Sequence, residues 1–229
     1  MKIGFVGFDL KEGKIKYEDE RFKKMVDKFE PQKETPFFAE FVKDEMLNVD
    51  AILIKYEKLL DLLIQDIEKI EGRLAKTQDP KEKALLLKCQ EALELEQPLC
   101  NVPFDAEETV IMRGLAPLSW KPTYVASKLE DTNLYIQQVL HKARVLFFYT
   151  VGKKEVHAWP FPEGSTIVEC AGEIHTDLAR GFIRADIVSY DDLMQCHNLQ
   201  EAKTKGFLKT VGKEYLTRDG DIIEIKFNV

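Results

Sequence analysis

The chain is 229 residues long, which allows one large domain or two to three small ones and a sizeable core. Hydrophobic residues at 45% and charged residues at 32% give an ordinary globular composition, and no apolar run approaches the roughly 18–20 residues of a membrane-spanning helix. A formal charge of −7 argues against nucleic-acid binding through a basic whole-molecule field, DNA included, although a local basic patch remains open.

Met1-Lys2-Ile3-Gly4 lacks the long apolar stretch of a signal peptide, so a cytoplasmic protein with reduced thiols is expected. Ile3–Phe8 (IGFVGF) reads as a buried strand with two glycines. Phe37–Val42 and Val49–Ile54 are further apolar runs of strand length, and Thr123–Ser127 is a fourth, with Pro122 placed where a missing N–H does little harm. Helical patterns separate several of these strands, which points to a parallel, α/β-type sheet. Leu59, Leu63, Ile67, Ile70 and Leu74 mark one face of a helix. Asp79-Pro80-Lys81-Glu82 reads as a break and a capped restart, and Leu85, Leu86, Cys89, Ala92 and Leu93 supply the second apolar face. The two helices suggest an antiparallel hairpin, either a solvated arm or a partner-binding one. Ala106–Arg113 is a short helix capped by Asp105, and Asn133–Tyr149 is a helix with an aromatic end.

Val151-Gly152-Lys153-Lys154 reads as a boundary. Beyond it, strands are predicted at Glu155–Trp159, Thr166–Cys170 and Ile183–Ser189, with helical stretches near His175–Arg180 and Asp191–Gln195. Lys213–Thr217 and Ile222–Phe227, flanking Asp219-Gly220, predict a closing hairpin. The expected plan is an α/β domain from 1–55 and 98–150, a helical arm at 56–97, and an α+β unit at 151–229.

The four cysteines form no CxxC pair, and Cys196-His197 alone cannot supply three or four converging ligands, so no metal site is expected. Gly7 to Lys14 invites comparison with a phosphate-binding loop, G-x-x-x-x-G-K-[ST]. Here the gap is one residue too long, Ile15 replaces the magnesium-binding hydroxyl, and the following residues look extended rather than helical.

Ile174-His-Thr-Asp-Leu-Ala-Arg-Gly-Phe-Ile-Arg-Ala-Asp-Ile-Val-Ser-Tyr-Asp-Asp-Leu193, the terminal stretch Gly212–Val229, and Lys154-Glu-Val-His-Ala-Trp159 closely resemble the C-terminal part of the YchF family of Obg-like ATPases. That resemblance implies a TGS domain of β-grasp, ubiquitin-like fold. More weakly, Lys121–Asp131 resembles the stretch leading to the family's base-recognition motif, and the helical hairpin resembles its coiled-coil arm. The implied fold class is therefore α/β and α+β: a remnant of a P-loop-type G domain with an inserted helical hairpin, plus the TGS domain. Against that family pattern, the Walker A segment is missing, and Lys43-Asp44-Glu45-Met46 stands where a D-x-x-G motif is expected. Ser127-Lys-Leu-Glu130 carries the base motif with Ser in place of Asn. The chain also passes straight into the helix at Asn133, without the strand that carries the last nucleotide motif.

Phosphoryl transfer relies on positioning and electrostatics supplied by such elements. The expectation is thus a binding or regulatory protein that is not an enzyme, with no cofactor and no catalytic residue. Ser127 and Glu130 would be vestigial nucleotide-site residues, and residual ATP or GTP binding is the alternative. The resemblance implies the ribosome, RNA or a protein as partner. His175, Thr176, Asp177, Arg180 and Arg184 are the contact candidates, with His157 and Trp159 as a stacking site for a base. Each has a structural reading beside it: a helix cap, a local ion pair, a half-buried strand edge.

Overall fold

The computed structural model describes residues 1–128 and 131–228. In chain order the elements are β1 (Lys2–Val6), β2 (Gly13–Lys16), α1 (Glu20–Phe29), β3 (Lys33–Thr35), β4 (Phe38–Lys43), β5 (Ala51–Lys55), α2 (Leu59–Leu74), α3 (Pro80–Glu94), α4 (Ala106–Leu115), β6 (Thr123–Ala126) and α5 (Thr132–Lys142). They continue with β7 (Val145–Val151), β8 (Glu155–Pro162), α6 (Ile167–Ile174), α7 (Thr176–Arg180), β9 (Phe182–Ser189), α8 (Tyr190–Met194), α9 (Leu199–Thr204), β10 (Lys209–Val211) and β11 (Asp221–Phe227). They form two compact units, Met1–Ile15 with Ala39–Ala143 and Lys16–Phe38 with Arg144–Val229.

The first unit is built on a sheet of order β2-β4-β1-β5-β6 in which β4, β1, β5 and β6 run parallel. On one face, Ile52 and Ile54 pack with Leu59, Leu62, Leu63 and Ile70 of α2 and with Leu85, Leu86, Cys89 and Leu93 of α3. Each such side chain contributes about 1.5–3 kcal/mol by leaving water, so this layer anchors the unit. The segment 56–97 is therefore not a separate arm: its helices bury their apolar stripe on the parallel sheet. Asp66, fully buried on α2, accepts from the backbone N–H groups of Leu118 and Ser119, both at 2.7 Å, and ties the turn before β6 to the helix.

The link from β4 to β5 covers only residues 44–50. Parallel strands normally need a crossover of about a dozen residues or more, usually with a helix. Here the strap returns across β1. Asp44 N–H donates to the Phe5 carbonyl and Asp50 N–H to the Lys2 carbonyl, at 2.9 Å each. Lys121 Nζ then donates to the carbonyls of Met46, Leu47 and Val49. The strap lies directly on Gly4: a Cβ there would stand 2.9 Å from the Glu45 carbonyl carbon and 3.1 Å from Val49 Cγ2. The first glycine of IGFVGF is a clearance requirement.

The second unit holds a six-stranded sheet of order β10-β9-β11-β7-β8-β3. Phe148, Phe161, Phe182, Ala185, Ile187 and Ile223 pack with Ile167, Cys170 and Ala171 of α6. Residues 16–38, expected in the N-terminal domain, belong here. α1 buries Phe22, Met25 and Phe29, and its N-cap Asp19 accepts from Arg21 N–H and from the hydroxyl of the fully buried Tyr149. Arg21 grips Asp219 with two hydrogen bonds of 2.8 and 3.1 Å, and Asp219 also accepts from Phe147 N–H. β3 pairs in parallel with β8.

Three element expectations are corrected. The helix predicted over Asn133–Tyr149 stops at Lys142, and Val145–Val151 is the strand β7, with Arg144 at φ 51° making the turn. Thr166–Cys170 is not a strand: Thr166 and Glu169 form a reciprocal capping box that starts α6. The closing hairpin does not form. β11 pairs antiparallel with β9, while Leu216 makes an isolated bridge with Thr166. Gly220, at φ +86°, still turns the chain, as Asp-Gly predicts.

Candidate functional site

In the first unit, the strand order reverses at β1: β2 and β4 lie on one side, β5 and β6 on the other. Open parallel sheets bind ligands outside the carboxyl ends of their strands at such a switch point. The residues at that edge are Lys43 ending β4 and Asp44 after it, Gly7 after β1, Lys55 ending β5, and Ser127-Lys128 after β6. Gly7 has φ +84°, and a Cβ there would meet Lys55 Cβ at 2.8 Å and Lys58 Cγ at 3.0 Å. The bare backbone of Gly7 lets the stems of Lys55 and Lys58 lie against the end of the central strand. Their ammonium groups reach solvent, with Lys55 3.5 Å from Glu57 and Lys58 3.1 Å from Asp61. Exposed pairs of this kind are worth about 0–1 kcal/mol, so an incoming phosphate can displace the carboxylates.

The flanks of this edge are fixed. Phe8, just after Gly7, packs its ring on Tyr135 of α5 with centroids 5.3 Å apart. The Tyr135 hydroxyl donates to the Lys128 carbonyl at 2.7 Å, and Asp131 caps α5 through Asn133 N–H. Ala126 stands in register with Lys55, so Ser127 is the next residue out at the same edge. Glu130 lies outside the described residues. After β1 the chain runs through residues 8–12 into strand β2 and not into a helix, so an anion here would meet lysine side chains and not a helix N-terminus.

The sequence reading missed Gly7, Lys55 and Lys58 as a set. The available signal was a lysine closing the apolar run Ala51–Ile54, together with a glycine closing the first strand.

In the second unit, His175, Thr176, Asp177 and Arg180 sit together on and before α7. His175 Nδ1 accepts from Asp177 N–H at 3.2 Å, and Asp177 pairs with Arg180 at 2.8 Å. Arg184 is exposed on β9, opposite Lys226 of β11. His157 and Trp159 lie apart from that cluster, on β8. Their rings stack with centroids 3.6 Å apart; Trp159 also stacks on Phe148 and donates from Nε1 to Thr150 Oγ1 at 3.1 Å. Burial pushes the His157 imidazole below its ordinary pKa, against the pull of Glu155 at 3.7 Å. Hydrogen bonds from Lys33 and then Thr35 hold Glu155 below the usual carboxylate range.

The YchF-GTPase C-terminal family model, described as a protein of unknown function (DUF933), matches residues 145–228. A Bacillus subtilis protein named ribosome-binding ATPase YchF is 30% identical over 237 residues, covering 74% of this chain and 65% of the relative. An Escherichia coli O157:H7 protein of the same name is 32% identical over 203 residues, covering 65% of this chain and 56% of the relative. This chain belongs to the YchF family.

The Mycoplasma genitalium YchF is 44% identical over 97 residues, which cover 42% of this chain and 26% of that relative. The chain thus spans between about a quarter and two thirds of the length of these YchF relatives. The structure of the Schizosaccharomyces pombe YchF GTPase superposes with a TM-score of 0.81 at 18% identity, covering 99% of this chain and 97% of that one. That likeness shows the mixed α/β fold with its two sheets. The names also correct one expectation. A protein that is not an enzyme was expected from the altered motifs; YchF relatives named as ATPases and a fold neighbour titled as a GTPase overturn it. Among the described residues, no helix is long and apolar enough to cross a membrane.

Proposed function

We propose that this chain is a ribosome-associated protein that binds a nucleoside triphosphate at the carboxyl edge of its parallel sheet. The observation that carries the reading is the pair Lys55 and Lys58 laid against Gly7 at the switch point. Their ammonium groups would take the phosphates, with Lys43 at the end of the neighbouring strand, and Ser127 would lie toward the base; Glu130 is a candidate through its motif alone. Hydrolysis of ATP and the ribosome as partner are proposed from the names of the relatives.

The finer organisation is also proposed: a G-domain-like part in the first unit, with helices at 56–97 that carry a partner-binding surface, and a TGS-like β-grasp part over 151–229 in the second. His175, Thr176, Asp177, Arg180 and Arg184 would contact ribosome, RNA or protein, and His157 with Trp159 would serve as a stacking site. What supports this is the surface position of α7 and the stretch of sequence shared with the family model.

The test uses a fluorescent ATP analogue with magnesium, phosphate-release assays and co-sedimentation with ribosomes. Saturable nucleotide binding that weakens at least about a hundredfold in Lys55→Gln/Lys58→Gln is expected, since two charge-assisted contacts of about 1.5–3 kcal/mol each are lost. Binding of equal strength in that variant refutes the site.

A further inference from the structure

Tyr56, Leu60 and Ile64 recur every fourth residue from the end of β5 along α2, and each is about half exposed, at 53%, 51% and 50%. Leu95, just past α3, is 73% exposed. The Tyr56 hydroxyl donates to the Glu96 carboxylate at 2.8 Å, which sets the end of α3 beside the start of α2. The core-facing stripe of α2 is a different one, made by Leu59, Leu62, Leu63 and Ile70. α2 therefore presents a second apolar stripe that its own unit does not cover. A contiguous apolar row at this exposure marks an interaction surface more often than chance scatter does.

The charge around the stripe is acidic. Glu57 and Asp61 directly follow Tyr56 and Leu60 in the chain, Glu91 and Glu94 come one turn and one residue before Leu95, and Glu96 stands at Tyr56. Lys55 and Lys58 lie among them, paired with Glu57 and Asp61, so the carboxylates still outnumber the lysines. We propose that this stripe docks a basic amphipathic helix of a protein partner. The partner's apolar residues at i, i+3/i+4 and i+7 would seat on Tyr56, Leu60, Ile64 and Leu95, and its Lys and Arg flanks would meet Glu57, Asp61, Glu91 and Glu94. Nucleic acid is the wrong chemistry for this face, because its phosphates would approach carboxylates. The inference rests on the proposed partner-binding role of these helices and gives it a chemical class of partner.

The test is fluorescence anisotropy with the full chain and labelled 18-residue probes. One peptide has leucines at helical spacing and lysines elsewhere, a second replaces the lysines by glutamates, a third scrambles the first, and a fourth probe is single-stranded RNA. The lysine peptide should bind saturably at one site, more weakly as salt rises. Leu60→Ser/Ile64→Ser and Glu91→Lys/Glu94→Lys should each weaken it at least about tenfold. These positions are exposed, and unchanged melting curves would show that the variants fold. Equal binding by either variant, binding of the scrambled or glutamate peptide as strong as that of the lysine peptide, or RNA binding that depends on Leu60 and Ile64 overturns the proposal. Co-sedimentation with ribosomes separates the two readings. Peptide binding without sedimentation removes only the ribosome, whereas sedimentation that ignores both double variants, with no peptide binding, removes only the docking stripe.

Discussion

Replacing Gly4 by alanine tests the crossover strap directly. The added Cβ would lie 2.9 Å from the Glu45 carbonyl carbon and 3.1 Å from Val49 Cγ2, and closer still to the Glu45 carbonyl oxygen. Carbon atoms rest at about 3.5–4.0 Å, so the strap must lift by at least roughly 0.6–1 Å. Residues 44–50 have no slack for this, since they already span two parallel strands without a helix. Lifting them strains the hydrogen bonds from Lys121 to three carbonyls and draws Val49, 7% exposed, out of the core. Overpacking against a well-packed neighbour costs about 1–3 kcal/mol, and a strained charge-assisted hydrogen bond adds about 1 more. A loss of about 3 kcal/mol is expected. Urea unfolding followed through Trp120, in a Trp159→Phe background, reports the first unit alone. With a slope of about 2–3 kcal/mol/M, the midpoint should fall by about 1 M or more. A midpoint within about 0.2 M of the parent would refute the strap argument.

Asp66→Asn should cost about 2–4 kcal/mol on the same Trp120 signal, because an amide cannot accept from both the Leu118 and Ser119 N–H groups as a buried carboxylate does; an unchanged midpoint would contradict the capping role. His157 gives a pH signature in the second unit. Its folded pKa lies below the ordinary value of about 6.5, so the folded state binds fewer protons than the unfolded state, and its contribution, full above that value, is lost as pH falls through it. His157→Phe, which keeps a ring against Trp159, should flatten the pH dependence of unfolding followed by Trp159 as pH falls below about 6.5; identical slopes would sink that assignment.

Local chemistry made much of this protein legible. Apolar runs located β1, β4, β5 and β6, and Asp79-Pro80 and Asp105 located helix starts that the structure confirms with side-chain caps. Asp219-Gly220 marked a real turn, but its partner strand was wrong, because β11 is paired by β9 from 32–45 residues away and no local rule measures that distance. The same limit explains α1. Its Phe22, Met25 and Phe29 face was readable in principle, but the short charged segment looked like part of the N-terminal domain until Arg21 and Asp19 were seen to grip Asp219 and Tyr149. Among candidate residues, Ser127 was nominated by its motif, and the structure puts it just past β6. Lys55 and Lys58 were not, since only their approach to Gly7 makes them a pair.

What the sequence determined by itself is what nearest neighbours decide: strand and helix periodicity, caps, turn glycines, and the long C-terminal motifs that carry the family. What the tertiary structure alone decided is which distant segments meet. Gly4 beneath the strap, the transfer of residues 16–38 to the second unit, and the lysines at the switch point all arise from strand order. Strand order is set by burial and pairing summed over the whole chain, so no local window contains it.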